Sequence, residues 1–339
     1  MKRLPIALAA GALALALGAC GTGTTTPTDT TSSGASSSGP SGSYKIAITQ
    51  FLAHPSLDAI TKGIKDALTE KGLVEGQNIE YVYDDAQGEP SNTTTIAGKY
   101  AADSSIQLMV GIATPSAQAL ATAITDRPVL FAGVTDPVEA GIVPSWDANP
   151  NSNVTGTSDL NPEGKPFGLI KEAMGTTPKK VGFPYTLSEA NSKTQLKALQ
   201  EEAGSEAEIV PAGLSNASEL ATALQTLSGV DAVYVGTDNT VVTGIDQVIS
   251  FCTENKIPLF TGDESSVEKG AIATRGLDYY ELGKRTGEMV YSILVDGKSP
   301  GDIPPLKVTD TTITYNAKAA AAMGLTPPQS FLDEVTTNV

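Results

Sequence analysis

The chain of 339 residues carries 38 acidic against 22 basic side chains, a formal charge of −16. That balance argues against nucleic acid and anionic lipid surfaces as partners, because both are bound through basic patches. A single His and two Cys, without CxxC or HExxH, withhold the parts of a structural zinc site and of Ser-His-Asp chemistry, and GxxxxGK[ST], GxGxxG and GxSxG are absent. No metal and no cofactor is expected.

Lys2 and Arg3 precede an uncharged run over 4–19, and small residues stand before a lone Cys in Leu17-Gly18-Ala19-Cys20. This is the layout of a secretory signal, and the run is shorter than the roughly 20 residues a helix needs to span a bilayer. Leu-Gly-Ala-Cys resembles the lipobox of bacterial lipoproteins, which implies removal of 1–19, diacylglycerol on the Cys20 thiol and acylation of the new amino terminus. Two or three acyl chains hold a protein firmly at a bilayer where one does not. Residues 20–43 follow as a linker: after Cys20 they are Gly, Ser, Thr, Ala and Pro with one charge, Asp29. Such a stretch cannot form a core and has an r.m.s. reach of about 26 Å. The protein is read as extracytoplasmic and lipid-anchored to the cell membrane.

From residue 44 onward, apolar runs rich in Val, Ile and Tyr alternate with stretches of helical periodicity, the βαβα pattern of parallel sheets covered by helices. A strand over 44–49 leads to a helix entered at Pro55, with Leu57, Ile60, Ile64 and Leu68 on one face and Gly72 as its stop. Strands over 79–83, 106–112 and 129–134 follow, with helices from Ser91 and from Thr114-Pro115, and complete one lobe. Residues 150–162, rich in Asn, Gly, Ser and Thr around Val154-Thr155-Gly156, read as a crossover. A second series has the same rhythm, with strands over 181–185, 208–210, 232–235 and 258–261. Its helices start at Ser188 and near Asn216, where Glu219 stands at capping-box spacing, and a third ends near Glu254. Cys252 in that third helix is expected as a buried, inert thiol. The helix over 279–296 and the strand-like 311–315 then have to pack on what is already built, so the chain is expected to return across the hinge more than once.

Ligands of open parallel sheets bind beyond the carboxyl ends of the strands, where the amides of following helices point outward. Nearly every predicted strand here ends in small polar residues, among them Thr49-Gln50-Phe51, Thr114-Pro115-Ser116, Thr135-Asp136-Pro137, Thr157-Ser158-Asp159, Ser188-Glu189-Ala190-Asn191-Ser192, Thr237-Asp238-Asn239 and Thr261-Gly262-Asp263-Glu264. Each cluster also suits helix capping or a turn. The functional reading rests on their joint placement, with two such edges facing across a cleft that suits a small polar ligand. Thr114 before Pro115 could present free amides to a carboxylate, while Glu189, Asp238 and Asp263 are candidate acceptors for an ammonium group. Phe51 and Tyr185 follow strands in opposite lobes and are either core residues or the walls of an aromatic slot. His54 reads as part of a helix-start turn and Asp84-Asp85 as a solvated loop. Arg275 is the one prominent base at these strand ends, which favours a zwitterion over a phosphate or sulfate.

Read in order, Ile48-Thr49-Gln50-Phe51 with His54-Pro55-Ser56-Leu57-Asp58, Ala113-Thr114-Pro115, Val134-Thr135-Asp136-Pro137-Val138, Asn153-Val154-Thr155-Gly156-Thr157-Ser158-Asp159, Ser188-Glu189-Ala190-Asn191-Ser192, Thr237-Asp238-Asn239-Thr240 and Asp278-Tyr279-Tyr280-Glu281-Leu282-Gly283 span most of the chain. These stretches resemble the substrate-binding lipoproteins of ABC transporters, in the group that includes tryptophan- and tyrosine-binding members. The resemblance implies an α/β fold of two Rossmann-like lobes with parallel sheets, joined by a multi-strand hinge as in type I periplasmic binding proteins. It places 44–156 with 274–305 in the first lobe and 157–273 with 306–339 in the second. It carries the ligand-binding role to Gln50, Phe51, Thr114, Asp136, Tyr185, Glu189, Asp238, Asn239 and Asp263. The chain departs from the family pattern at Phe183-Pro184-Tyr185, which bears on the aromatic slot, and at Arg275. The implied protein is not an enzyme: a monomer closes on a small zwitterion, an aromatic amino acid in the first instance, and delivers it to a membrane permease, with the bilayer as partner through acylated Cys20. A secreted hydrolase or transferase using cleft carboxylates, and a sensory or adhesive surface lipoprotein of the same fold, are the rival readings. A lac-repressor-like regulator shares the architecture but lacks its basic DNA-binding head here.

Overall fold

The computed structural model describes residues 42–161 and 164–339. The expected signal, Cys20 and nearly all of the linker lie outside the described residues. Among those described, no helix is long and apolar enough to cross a membrane.

The first lobe opens with β1 (Tyr44–Gln50), α1 (Pro55–Glu70), β2 (Ile79–Asp85), α2 (Pro90–Ala102), β3 (Leu108–Ile112), α3 (Thr114–Ala123), β4 (Val129–Ala132) and β5 (Val154–Ser158). Pro sits at the start of α1, α2 and α3, where its missing N–H costs nothing. Leu57, Ile60, Ile64 and Leu68 bury one face of α1, and the chain leaves the helix through Gly72 at φ +87°. Strands β3 and β4 read as unbroken apolar runs because helices cover the sheet on both faces. Val154-Thr155-Gly156, expected as a bare crossover, is part of β5, whose pairing with β4 continues to Thr157.

The second lobe contains α4 (Pro166–Met174), β6 (Lys180–Thr186), α5 (Ala190–Ala203), β7 (Glu208–Leu214), α6 (Leu220–Gln225), β8 (Ala232–Val235), α7 (Asn239–Thr243), α8 (Ile245–Asn255), β9 (Leu259–Thr261), α9 (Glu264–Lys269) and β10 (Ala273–Leu277). Then come α10 (Tyr279–Leu294), β11 (Leu306–Lys307), β12 (Thr311–Tyr315), α11 (Ala317–Met323), α12 (Gln329–Leu332) and β13 (Thr337–Asn338). One sheet has the order β11-β5-β4-β3-β1-β2 and the other β13-β12-β10-β9-β8-β6-β7, parallel throughout except where β12 runs antiparallel to β10. Pro184 fits inside β6 because pairing with β8 ends at Gly182, so its absent N–H breaks no ladder bond on that side. Asn216 caps the turn before α6 by accepting from Ser218 N, while Glu219 accepts from Ser215 N.

The lobe boundaries differ from expectation at the first crossing, where 157–158, expected in the second lobe, belong to β5 of the first sheet, and at both returns. β10 pairs with β9 and β12, so 274–277 belong to the second sheet and the chain leaves it after Leu277. β11 pairs with Thr157 and Ser158 of β5, so 306–307 belong to the first. Each reassignment follows from strand pairing, which the local sequence of these short segments does not announce. Cys252 is fully buried, and burial pushes its thiol up to about 12. It should stay unmodified by thiol reagents until denaturant is added, which a colourimetric thiol titration checks.

α10 leaves the second sheet and packs in the first lobe against α1. The contact is possible because glycines line it: a Cβ on Gly63 would sit 2.2 Å from Tyr280 O, and one on Gly283 2.3 Å from Ile60 O. Chain crossings occur after Ser158, after Leu277 and between Lys307 and Thr311. Asp159 and Tyr279 stand just past the first two, joined by a Tyr279 OH to Asp159 Oδ2 hydrogen bond of 3.0 Å.

Candidate functional site

The carboxyl ends of the two sheets face each other across a cavity lined by both lobes. The first lobe contributes His54, Ser56 and Leu57 from the start of α1, Thr114 from α3, and Gly133 and Thr135 from beyond β4. The second contributes Asn191, Thr237, Asn239, Val242 and Asp263, and the hinge contributes Asp159 and Tyr279. The lobes touch through Gln195 Nε2 to Thr135 Oγ1 (3.3 Å), Ser56 Oγ to Asp263 Oδ1 (3.5 Å) and Ser56 Oγ with Ser265 Oγ (3.4 Å).

Four buried polar atoms of this lining have no hydrogen-bond partner: His54 Nδ1, Thr114 Oγ1, Asp159 Oδ1 and Asn191 Oδ1. Buried polar atoms are paired with few exceptions, so their convergence on one cavity marks where a ligand's polar groups belong. Their chemistry is specific. Asn191 spends its amide N–H groups on Glu189, Ser192 and the Thr237 carbonyl, which leaves Oδ1 as a pure acceptor. Asp159 uses one oxygen on Tyr279; burial pushes its carboxyl up, against the opposing influence of Tyr279 and of the nearby Thr135 and Thr237 hydroxyls. Both acceptors suit an ammonium group. Thr114 opens α3, with Ala113 before it held at φ +70°, a strained conformation for a residue with a Cβ. Its hydroxyl and the helix amide end suit a carboxylate. No Lys or Arg stands among the described lining residues.

Of the residues singled out from sequence, Thr114, Asn239 and Asp263 line this cavity, and the others do not. Gln50 is buried beneath it, donating to Leu52 O and Asp58 Oδ1 and accepting from Thr61, so that it braces the start of α1. Phe51 is a first-lobe core residue, and Tyr185 packs on Phe183 with ring centroids 6.2 Å apart, so the two do not form a slot. Asp136 closes a turn by accepting from the amides of Val138 and Glu139. Asp238 caps α7 and is also bonded to Thr186 and Ser192. Glu189 accepts from Asn191, Asn239 and Thr240; burial and the charge of Asp238 push it up to about 7. Asp263 lines the cavity yet caps α9 through Ser266 and accepts from Ser265.

Asp159 and Asn191 stood in the strand-end clusters, whereas His54 stood in one of the stretches that carry the family resemblance but was read as a helix-start turn. A second cavity shares Thr135, Asp159, Thr237 and Tyr279 with the first and reaches Arg275. Arg275 is held there by Glu172 at 2.6 Å and Glu334 at 3.7 Å, and its charge is spent on them.

Burial lowers the pKa of His54 below its ordinary 6.5, more than Asp263 raises it. A depressed imidazole leaves stability intact above 6.5 and erodes it as pH falls below that value, because the unfolded or opened chain takes up the proton first. Glu189, raised to about 7, works in the opposite direction, so the expected readout is a difference: on acidification below 6.5 the wild type should lose melting temperature relative to His54→Gln, as a pH series of thermal melts would read.

The sequence profile described as ABC transporter substrate binding protein matches residues 45–339. A tyrosine-binding protein of Clostridioides difficile (strain R20291) is 40% identical over 282 residues, 83% of this chain and 81% of that one. The crystal structure of an ABC domain in complex with L-Trp from Streptococcus pneumonia aligns with TM-score 0.83 at 34% identity, over 88% of this chain and 100% of that one. The ligand-free, open structure of a substrate binding protein with adhesive properties from Clostridium difficile is 37% identical over 87% of this chain and 99% of that one, but its TM-score is 0.64. The chain thus superposes better on the L-Trp complex than on the open protein. The profile match, the identity and the paired sheets agree that this chain belongs to the ABC transporter substrate-binding protein family.

Proposed function

We propose that the protein is a lipid-anchored receptor that captures an aromatic amino acid between its lobes and delivers it to a membrane permease. The observation that carries this reading is the set of unpartnered acceptors and hydroxyls around the interlobe cavity, matched to a zwitterion. The ammonium group is assigned to Asp159 Oδ1 and Asn191 Oδ1, and the carboxylate to Thr114 and the start of α3. Leu57 and Val242 supply apolar surface for a side chain. The tyrosine-binding and L-Trp-bound relatives support the aromatic class. A ligand that touches both lobes favours the closed form over the open one, which a permease can distinguish, and no bond is made or broken.

Calorimetry against the twenty amino acids and common sugars is expected to give one-to-one binding of an aromatic amino acid; uniform absence of binding would remove the reading. Acylation is assigned to Cys20 and is tested by Cys20→Ser, which should move the protein from the membrane to the soluble fraction.

A further inference from the structure

We propose that His54 selects the ligand's ring: its Nδ1 accepts a hydrogen bond from an O–H or N–H borne by the side chain of an aromatic amino acid. The inference rests on the amino acid reading above and narrows it to rings that carry a donor.

Position is the first argument. The strand order places the carboxyl ends of β5, β4, β3 and β1 in a row, so Asp159, Thr135, Thr114 and His54 follow one another along the first-lobe rim. With about 4.8 Å per strand, the β5 and β1 ends lie roughly 14 Å apart. A zwitterion held at the Asp159 end and at Thr114 leaves its side chain to point toward the β1 end, where His54 stands beside Leu57.

The second argument is the unpaired nitrogen. Glu189 Oε2 takes the Nδ2–H of Asn239. That turns the amide so that Oδ1 is its remaining polar atom in the cavity it shares with His54. In the proposed role the imidazole proton resides on Nε2, and Nδ1, buried in that cavity without a partner, presents its lone pair. A ring without a donor leaves that buried acceptor unpaired, a loss of about ten- to a hundredfold in Kd.

His54 is the only His in the chain, so its imidazole nitrogens are assignable without ambiguity. The test measures Kd of the detergent-solubilised full-length protein for tyrosine, tryptophan and phenylalanine, with imidazole ¹⁵N spectra of the free and bound forms. Tyrosine or tryptophan should bind about ten- to a hundredfold more tightly than phenylalanine. The Nε2–H tautomer should be present, with the Nδ1 signal moving on binding of the donor-bearing ring. His54→Leu should abolish the preference, and thermal melts would show whether this variant folds. Equal affinity of the wild type for phenylalanine and the other two, or an Nδ1–H tautomer in the complex, overturns the role of His54 while leaving the amino acid reading in place. Binding of none of the three removes that reading and this inference with it.

Discussion

Replacing Asp159 by Ala is expected to abolish ligand capture while leaving the fold in place. Its Oδ1 is the buried carboxylate oxygen with no partner in the cavity, and the cavity offers an ammonium group no second free carboxylate, since Asp238 and Asp263 are taken up in capping. Removing one side of a buried charge pair costs about 2–5 kcal/mol, or about 30-fold to several thousandfold in Kd. Asp159→Asn keeps an oxygen for Tyr279 and should lose most of the affinity too. Because burial raises the pKa of Asp159, its ionised form weighs against the closed, empty protein, so the Asn variant should melt no lower than the wild type without ligand. Ligand should raise the melting temperature of the wild type only. Wild-type affinity in Asp159→Ala would move the ammonium site elsewhere.

Gly283→Ala should unfold or severely weaken the first lobe. Its Cβ would stand 2.3 Å from Ile60 O and 2.8 Å from Ile60 Cα, and backbone atoms of α1 cannot step aside as a side-chain tip can. Overpacking of this kind costs about 1–3 kcal/mol or more. The sign is the diagnostic part, because Gly to Ala inside a helix otherwise stabilises by about 1 kcal/mol. Gly98 in α2 provides the contrast: nothing lies within 4 Å of its added Cβ, so Gly98→Ala should raise stability. Urea denaturation of the two variants beside the wild type would show opposite displacements of the midpoint.

The alternation of strands and helices was legible because it is a local property. Pro at helix starts, the apolar face of α1 and the runs of β3 and β4 each carry their own signal. β10 was not legible, since Ala273-Thr274-Arg275-Gly276-Leu277 has a charge and a glycine in its middle and is a strand by virtue of β9 and β12 on either side. The cleft was legible as strand ends, but the choice among its acids was not. Glu189, Asp238 and Asp263 looked as available as Asp159 does. Thr186 and Ser192, far from Asp238 in sequence, fill its oxygens in the fold, and Asn239 and Thr240 do the same for Glu189. Availability of a carboxylate depends on which donors the tertiary structure delivers, and composition near the residue does not report it. Phe51 illustrates the same limit for apolar groups, as an aromatic one residue past a strand can turn into the core or into the cleft.

The packing of α10 on α1, with β11 closing the edge beside β5, has a consequence for biogenesis. The amino-terminal lobe lacks a helix and an edge strand until residues up to Lys307 have been made, and the carboxyl-terminal lobe lacks β12 and β13 until almost the last residue. Neither half can finish its interior while the ribosome or a translocation channel still holds the rest, so a nascent chain has no early native domain to jam a narrow pore. Fragments cut at Leu277 should accordingly stay open to protease as separate pieces and regain resistance only when mixed.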